Sequence, residues 1–128
     1  DGFKAVNDEF GHDVGDDLLG QVAQRLQGCV REDDALARLG GDEFVMVCRS
    51  ARPRRDATQI ADRILEMLSL PFAVGPWELS VGASIGIAVA DELSTTTTLL
   101  RDADAAMYRA KAAGRRRYEL TPAAPPVA

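Results

Sequence analysis

Asp42 and Glu43 are neighbouring carboxylates inside Gly40-Gly41-Asp42-Glu43-Phe44. Ala35-Leu36-Ala37-Arg38-Leu39 before them and Phe44-Val45-Met46-Val47-Cys48 after them read as two short strands. Gly40 and Gly41 supply the positive φ that a hairpin turn needs without a Cβ clash. Nothing in a turn demands two adjacent carboxylates, whose like charges repel and call for a compensating cation. Mg2+ (or Mn2+), alone or carried by a nucleotide, is the matching partner, because hard cations take carboxylate and phosphate oxygens. A solvated acidic turn is the competing account of the same five residues.

Two further places have groups suited to phosphate. Gly2, Phe3 and Lys4 can present backbone N–H groups to phosphate oxygens, or can simply reverse the chain. Lys111 and Arg115 flank Gly114 near the end of a helical pattern. Cations there are also explained by the negative end of the helix dipole. His12 is the only histidine, so His-based metal clusters and Ser/His/Asp triads have little to build on. The run Arg31-Glu32-Asp33-Asp34 reads by itself as a solvated charged connector.

Taken in order, these blocks resemble the GGDEF family, the bacterial diguanylate cyclases. Phe3-Lys4 with Asn7-Asp8, Gly11-His12 and Gly15-Asp16 is similar to the family's opening block. Arg38-Leu39 leads into the signature turn, and Ser84-Ile85-Gly86-Ile87-Ala88 resembles a later strand. Ala103-Asp104-Ala105-Ala106-Met107-Tyr108, Ala110-Lys111 and Gly114-Arg115 resemble the closing helix. The resemblance covers nearly the whole chain. It implies conversion of two GTP into cyclic di-GMP and two pyrophosphates, by metal-assisted attack of a 3′-hydroxyl on an α-phosphate. By the same resemblance, Asp42 is a metal ligand and Glu43 a catalytic carboxylate. Asn7 and Asp16 hold guanine, while Gly2, Phe3, Lys4, Gly40, Gly41, Lys111 and Arg115 belong to the substrate site. Arg31 and Asp34, with five residues between Asp34 and Gly40, match the family's RxxD product-inhibition site, and Arg63 falls near another product-binding arginine. The implied active form is a homodimer, cytoplasmic, with an upstream sensor or regulatory domain. A non-catalytic module sensing GTP or cyclic di-GMP is the alternative.

Composition sets the outer bounds. A chain of 128 residues builds one domain with a single modest core. The net charge of −5 argues against a general nucleic-acid or anionic-membrane surface. Cys29 and Cys48 are too few for a disulfide framework and read as reduced core thiols. No run of about 18 apolar residues offers a membrane span.

The elements that must position these groups follow from apolar spacing. Residues 1–10 read as a strand end and loop. Leu18, Leu19, Val22, Leu26 and Val30 mark a helix, with Asp13 and Asp16 near its start. A second helix follows Pro53, with Ile60, Ala61, Ile64, Leu65 and Leu68 inward and Arg63 outward. Leu79 through Val89 alternates as one long strand, with Gly82 and Gly86 allowing close approach on its other face. Ser94 or Thr95 caps a last helix whose Leu99, Leu100, Ala103, Met107 and Ala110 face the core, and Gly114 ends it. Helix, strand, strand, helix, strand, helix, with a first strand missing before Asp1, gives an α+β ferredoxin-like palm with an antiparallel sheet. Residues 1–120 then form the domain, lacking its N-terminal part, and 121–128 a flexible Pro/Ala-rich tail. The expectation is that residues 1–128 alone aggregate and are weakly active or inactive, and that roughly 40 upstream residues restore folding.

Overall fold

The computed structural model describes residues 1–121. All but the first residue of the expected tail lies outside the described residues. The chain divides into two units, Asp1–Ala83 and a second beginning at Ser84.

The first unit opens with α1 (Phe3–Phe10), where the sequence reading placed a strand end and a loop, followed by the expected helix as α2 (His12–Cys29). Phe3, Val6 and Phe10 recur at helical spacing, and this pattern outweighs the flanking glycines. Gly2 and Gly11, both at positive φ, bound α1. Asp13 lies in the first turn of α2. Asp16 sits a turn further in, so the helix-start role falls to Asp13. A hairpin follows, β1 (Ala35–Gly40) and β2 (Glu43–Val47). Its antiparallel register runs from Ala35 opposite Val47 to Arg38 opposite Phe44, then shifts so that Gly40 faces Glu43. The bulge leaves Leu39 unpaired and 62% exposed.

Pro53 occupies the first turn of α3 (Pro53–Ser69), where its missing N–H costs nothing. A short hairpin, β3 (Phe72–Val74) and β4 (Trp77–Leu79), completes the unit. Its core takes Leu18, Leu26 and Cys29 from α2, Ile60, Ile64 and Leu68 from α3, and Phe72, Val74 and Leu79 from the hairpin. Arg25 of α2 closes the end of α3: its guanidinium donates to the carbonyls of Met67, Leu70 and Pro71 and lies 3.5 Å from the Phe72 ring centre. Orphan carbonyls at a helix end and a cation–π contact are satisfied by one side chain.

The second unit is β5 (Ser84–Ile87), α4 (Thr96–Ala112) and β6 (Arg117–Leu120). The expected long strand 79–89 is therefore broken, because Leu79 pairs with Phe72 while Ser84–Ile87 pairs with residues beyond α4. Alternation shows which residues alternate faces, but the partner decides where a strand exists. The final strand β6 was not expected; its pairing with β5 is parallel, and α4 supplies the crossover that parallel neighbours need. Thr95 rather than Ser94 caps α4, through a reciprocal box with Thr98. Gly114, at φ +121°, ends α4. Arg115 N donates to Ala110 O at 2.9 Å and Gly114 N to Lys111 O at 3.3 Å, a Schellman closure. Ala106 and Ala110 are fully buried, whereas Leu100, expected inward, is 41% exposed. The inward stripe of α4 consists of small residues because Gly86 lets β5 come up against the helix backbone.

Candidate functional site

The hairpin turn carries its carboxylates outward. Asp42 and Glu43 are both exposed, with Glu43 the first residue of β2. Gly41 sits at φ +52°, a backbone state that non-glycine residues avoid. Arg38 holds this shape by donating from Nε to Gly41 O at 2.9 Å. Sequence reasoning did not single out Arg38 as a site residue. The available signal was a cation two residues before the glycines, on the strand that ends at the acidic turn.

Arg38 and Phe44, cross-strand partners, also line an open cavity of about 330 Å3 with Asp16, Leu19, Gly20 and Ala23 of α2. The structure thus brings Asp16 and the signature hairpin to one concavity. Its size falls at the lower end of small-molecule sites, about 300–1,000 Å3. Leu19 and Phe44 offer apolar faces to a flat ring, Asp16 an acceptor for ring N–H groups, and Arg38 a donor.

Asn7 lies on α1 with its side chain turned toward α2. Its Oδ1 is buried and has no hydrogen-bond partner among the described residues. A buried acceptor left without a donor costs free energy, so this amide is a candidate for a ligand contact. Gly2, Phe3 and Lys4 form the start of α1, with Gly2 at φ +83°. The first intrahelical bond is Val6 N to Gly2 O, which leaves the N–H groups of Phe3 and Lys4 without an intrahelical acceptor.

Lys111 and Arg115 belong to the second unit, in and just beyond the last turn of α4. Lys111 is half-buried and Arg115 exposed. Arg115 and Arg116 both adopt positive φ, at 64° and 52°. Such backbone costs on the order of 1 kcal/mol per non-glycine residue.

The connector Arg31–Asp34 is more ordered than a solvated charge run. Arg31 Nε lies 3.2 Å from Asp34 Oδ2 and its Nη1 3.5 Å from Asp56 Oδ2, while Nη2 donates to Arg49 O at 2.9 Å. The Asp34 side chain is 1% exposed and also accepts from Arg31 N. These hydrogen bonds from Arg31 hold the Asp34 carboxyl below the usual carboxylate range, and the same contact raises the Arg31 guanidinium. Cys48 is half-buried beside Asp34, and burial, reinforced by the Asp34 charge, pushes its thiol up. Ser50 Oγ donates to Asp56 in a short contact. Arg63 is exposed on α3, and its charge works against the burial that raises the Cys29 thiol.

Adjacent exposed carboxylates at a glycine turn suit Mg2+ or Mn2+ in donor type. Among the described residues no group of three or more His, Cys, Asp or Glu side chains converges on one point. The pair fits an ion that takes its remaining ligands from phosphate and water.

The family model described as "Diguanylate cyclase, GGDEF domain" matches residues 1–117. The chain belongs to the GGDEF-domain family. This GGDEF domain is 46% identical over 119 residues to the bifunctional diguanylate cyclase/cyclic di-GMP phosphodiesterase MucR of Pseudomonas aeruginosa, covering 92% of this chain and 17% of that protein. It is 44% identical over 119 residues to the cyclic di-GMP phosphodiesterase PdeR of Escherichia coli, covering 92% of this chain and 18% of that protein. The chain therefore spans less than a fifth of either curated relative. Among solved structures, the GGDEF domain of YfiN (TpbB) from Pseudomonas aeruginosa superposes with a TM-score of 0.90 at 41% identity, over 97% of this chain and 78% of that one. The α+β palm-type fold is shared with that domain. No helix among the described residues is long and apolar enough to cross a membrane.

Proposed function

We propose that this GGDEF domain binds GTP and, paired with a second copy, converts two GTP into cyclic di-GMP and two pyrophosphates. The observation that carries the reading is the intact acidic turn, braced by Arg38 and bordering the Asp16/Phe44 cavity. In each half-reaction a 3′-hydroxyl oxygen forms a bond to the α-phosphorus of the other GTP, pyrophosphate leaves, and the hydroxyl proton is given up. The protein needs mainly to position and to offset charge. Asp16 and Asn7 orient guanine, the Phe3 and Lys4 N–H groups meet phosphate oxygens, and Lys111 and Arg115 neutralise phosphate charge. Glu43 assists the loss of the hydroxyl proton. A Mg2+ or Mn2+ ion held by Asp42 would supply charge neutralisation at the phosphate and acidify the hydroxyl. Each domain presents one nucleotide, so the product requires a homodimer with two sites face to face.

Arg31, Asp34 and Arg63 are proposed to bind the cyclic product and inhibit, with Arg31 exchanging its protein acceptors for phosphate or guanine. The location is the cytoplasm, with sensory input from another part of the protein. The relative PdeR favours one second reading, because its name carries hydrolysis of cyclic di-GMP and not its synthesis. On that reading the domain binds GTP and signals without turnover. The deciding experiment incubates the complete protein with GTP and Mg2+ and measures cyclic di-GMP. Product formation abolished by Asp42→Asn supports synthesis, while GTP binding without product selects the sensing role.

A further inference from the structure

We infer that Gly15 is a positioning residue for Asn7: the space a Cβ would fill at position 15 is the seat of the Asn7 amide. A Cβ built on Gly15 would overlap Asn7 Oδ1, lie 2.7 Å from Asn7 Cγ and 3.4 Å from Nδ2. The three nearest atoms to that position all belong to the same amide. Gly15 is itself buried, in the helix interior and at a helical φ. The glycine is therefore not explained by backbone conformation, since helix interiors favour alanine. Gly11, at φ +93°, joins α1 to α2 and makes the two helices meet at this point.

The consequence is a rule about recognition. With glycine at 15, Asn7 keeps one amide placement, its Oδ1 buried and without a hydrogen-bond partner among the described residues. Any side chain at 15 drives the amide out, by rotation of a flexible side chain rather than by movement of backbone. Asp16, the next residue on α2, stays where it is. The inference deepens the proposed guanine role of Asn7 and rests on it.

The test uses the complete protein and four forms: parent, Asn7→Ala, Gly15→Ala and the double variant. GTP binding is measured by titration calorimetry with Mg2+, with ATP as the competing base, alongside KM and kcat. Loss of one base-reading side chain is expected to weaken GTP about 5- to 150-fold and to narrow the preference over ATP. Gly15→Ala is expected to match Asn7→Ala, raising KM far more than it lowers kcat. The double variant is expected to be no weaker than Asn7→Ala alone, and to unfold at a higher temperature than either single variant, since the clash is gone and the helix gains an alanine. If Asn7→Ala weakens GTP but Gly15→Ala does not, or if the two losses multiply in the double variant, the positioning role is overturned alone. If Asn7→Ala binds GTP as the parent does, the guanine reading falls and this inference falls with it.

Discussion

Gly86→Ala is the substitution that most directly tests how the second unit holds its cations. A Cβ at Gly86 would overlap Ala103 O and Met107 N and stand 3.0 Å from the Ala103 carbonyl carbon. Carbon atoms in contact sit about 3.5–4.0 Å apart. Judged from that carbon alone, α4 must withdraw by at least about 0.5 Å. The obstructing atoms are helix backbone, so no rotation relieves them. Overpacking costs about 1–3 kcal/mol, and a backbone obstacle puts this case at the upper end. Replacing glycine in a strand returns about 0.5–1 kcal/mol. The net loss is about 2 kcal/mol, equivalent to roughly 6–12 °C in the melting temperature of a domain this size. Lys111 lies one turn beyond Met107, so GTP affinity should fall with the packing. The assay is thermal unfolding of the complete protein, with Gly28→Ala as control. An added Cβ at Gly28 meets nothing within 4 Å, and a helical alanine there should be neutral or stabilising. A Gly86→Ala melting temperature within about 2 °C of the parent would refute the close α4–β5 packing argument.

The remaining predictions are shorter. Asp42→Asn and Glu43→Gln should each lower the rate of cyclic di-GMP formation by about 100-fold or more, with GTP binding far less affected; unchanged rates in both would remove the turn from the chemistry. Asp34, depressed in the folded state, contributes stability that is complete above its unfolded value, about 3.9, and lost as pH falls through the lower folded value. Denaturant midpoints from pH 5 down to pH 2 should therefore fall less steeply for Asp34→Asn than for the parent, and parallel curves would contradict the assignment. Cys48, with its thiol raised, should be alkylated more slowly at pH 8 than a free cysteine, and faster once Asp34→Asn removes the neighbouring charge; equal rates would show that Asp34 does not act on it.

What was legible in the sequence was what rests on local periodicity and turn chemistry. The β1–β2 hairpin, α3 after Pro53 and the Gly114 stop on α4 follow from apolar spacing, proline at a first turn and glycine at positive φ. The misreadings share one cause. Residues 3–10 carry helical spacing between two glycines, but a loop reading of glycine-flanked polar residues is locally as good. Residues 79–89 alternate, yet whether they form one strand or parts of two depends on their partners, Phe72 across a tight hairpin and Leu120 far along the chain. Leu100 satisfied the helical stripe but is 41% exposed, whereas the buried residues of α4 are Ala106 and Ala110. In the candidate site, charge repulsion between Asp42 and Glu43 left a cation site and a solvated acidic turn both open, and the roles given to the two residues came from the family resemblance. The Gly15–Asn7 seat was not legible, since a contact between α1 and α2 leaves no mark on spacing, whereas the Arg38 brace is local to the hairpin and its signal was a cation two residues before the glycines.

Arg31 shows how a structural contact and a proposed ligand contact constrain each other. Its guanidinium is committed to Asp34, Asp56 and the Arg49 carbonyl. These acceptors lie on the connector before β1, at the start of α3 and just after β2, so one side chain ties both ends of the hairpin to α3. A product molecule that recruits Arg31 must take its donors from some of these acceptors. Product binding at this place therefore loosens the hairpin base or replaces one brace by another; it cannot leave the base untouched. Feedback further requires that product prefer the inactive arrangement, because equal affinity for both shifts nothing. Arg31→Ala should then do two separable things. It should raise the product concentration for half-inhibition about 5- to 150-fold, as the loss of an Arg fork implies, and it should lower the melting temperature even without ligand. The initial rate at low product should remain near the parent. Asp56→Asn supplies the contrast, weakening the brace while leaving both Arg31 and Asp34 in place. If Asp56→Asn relieves inhibition as strongly as Arg31→Ala, the effect comes from the brace, and Arg31 has no direct role in holding the product.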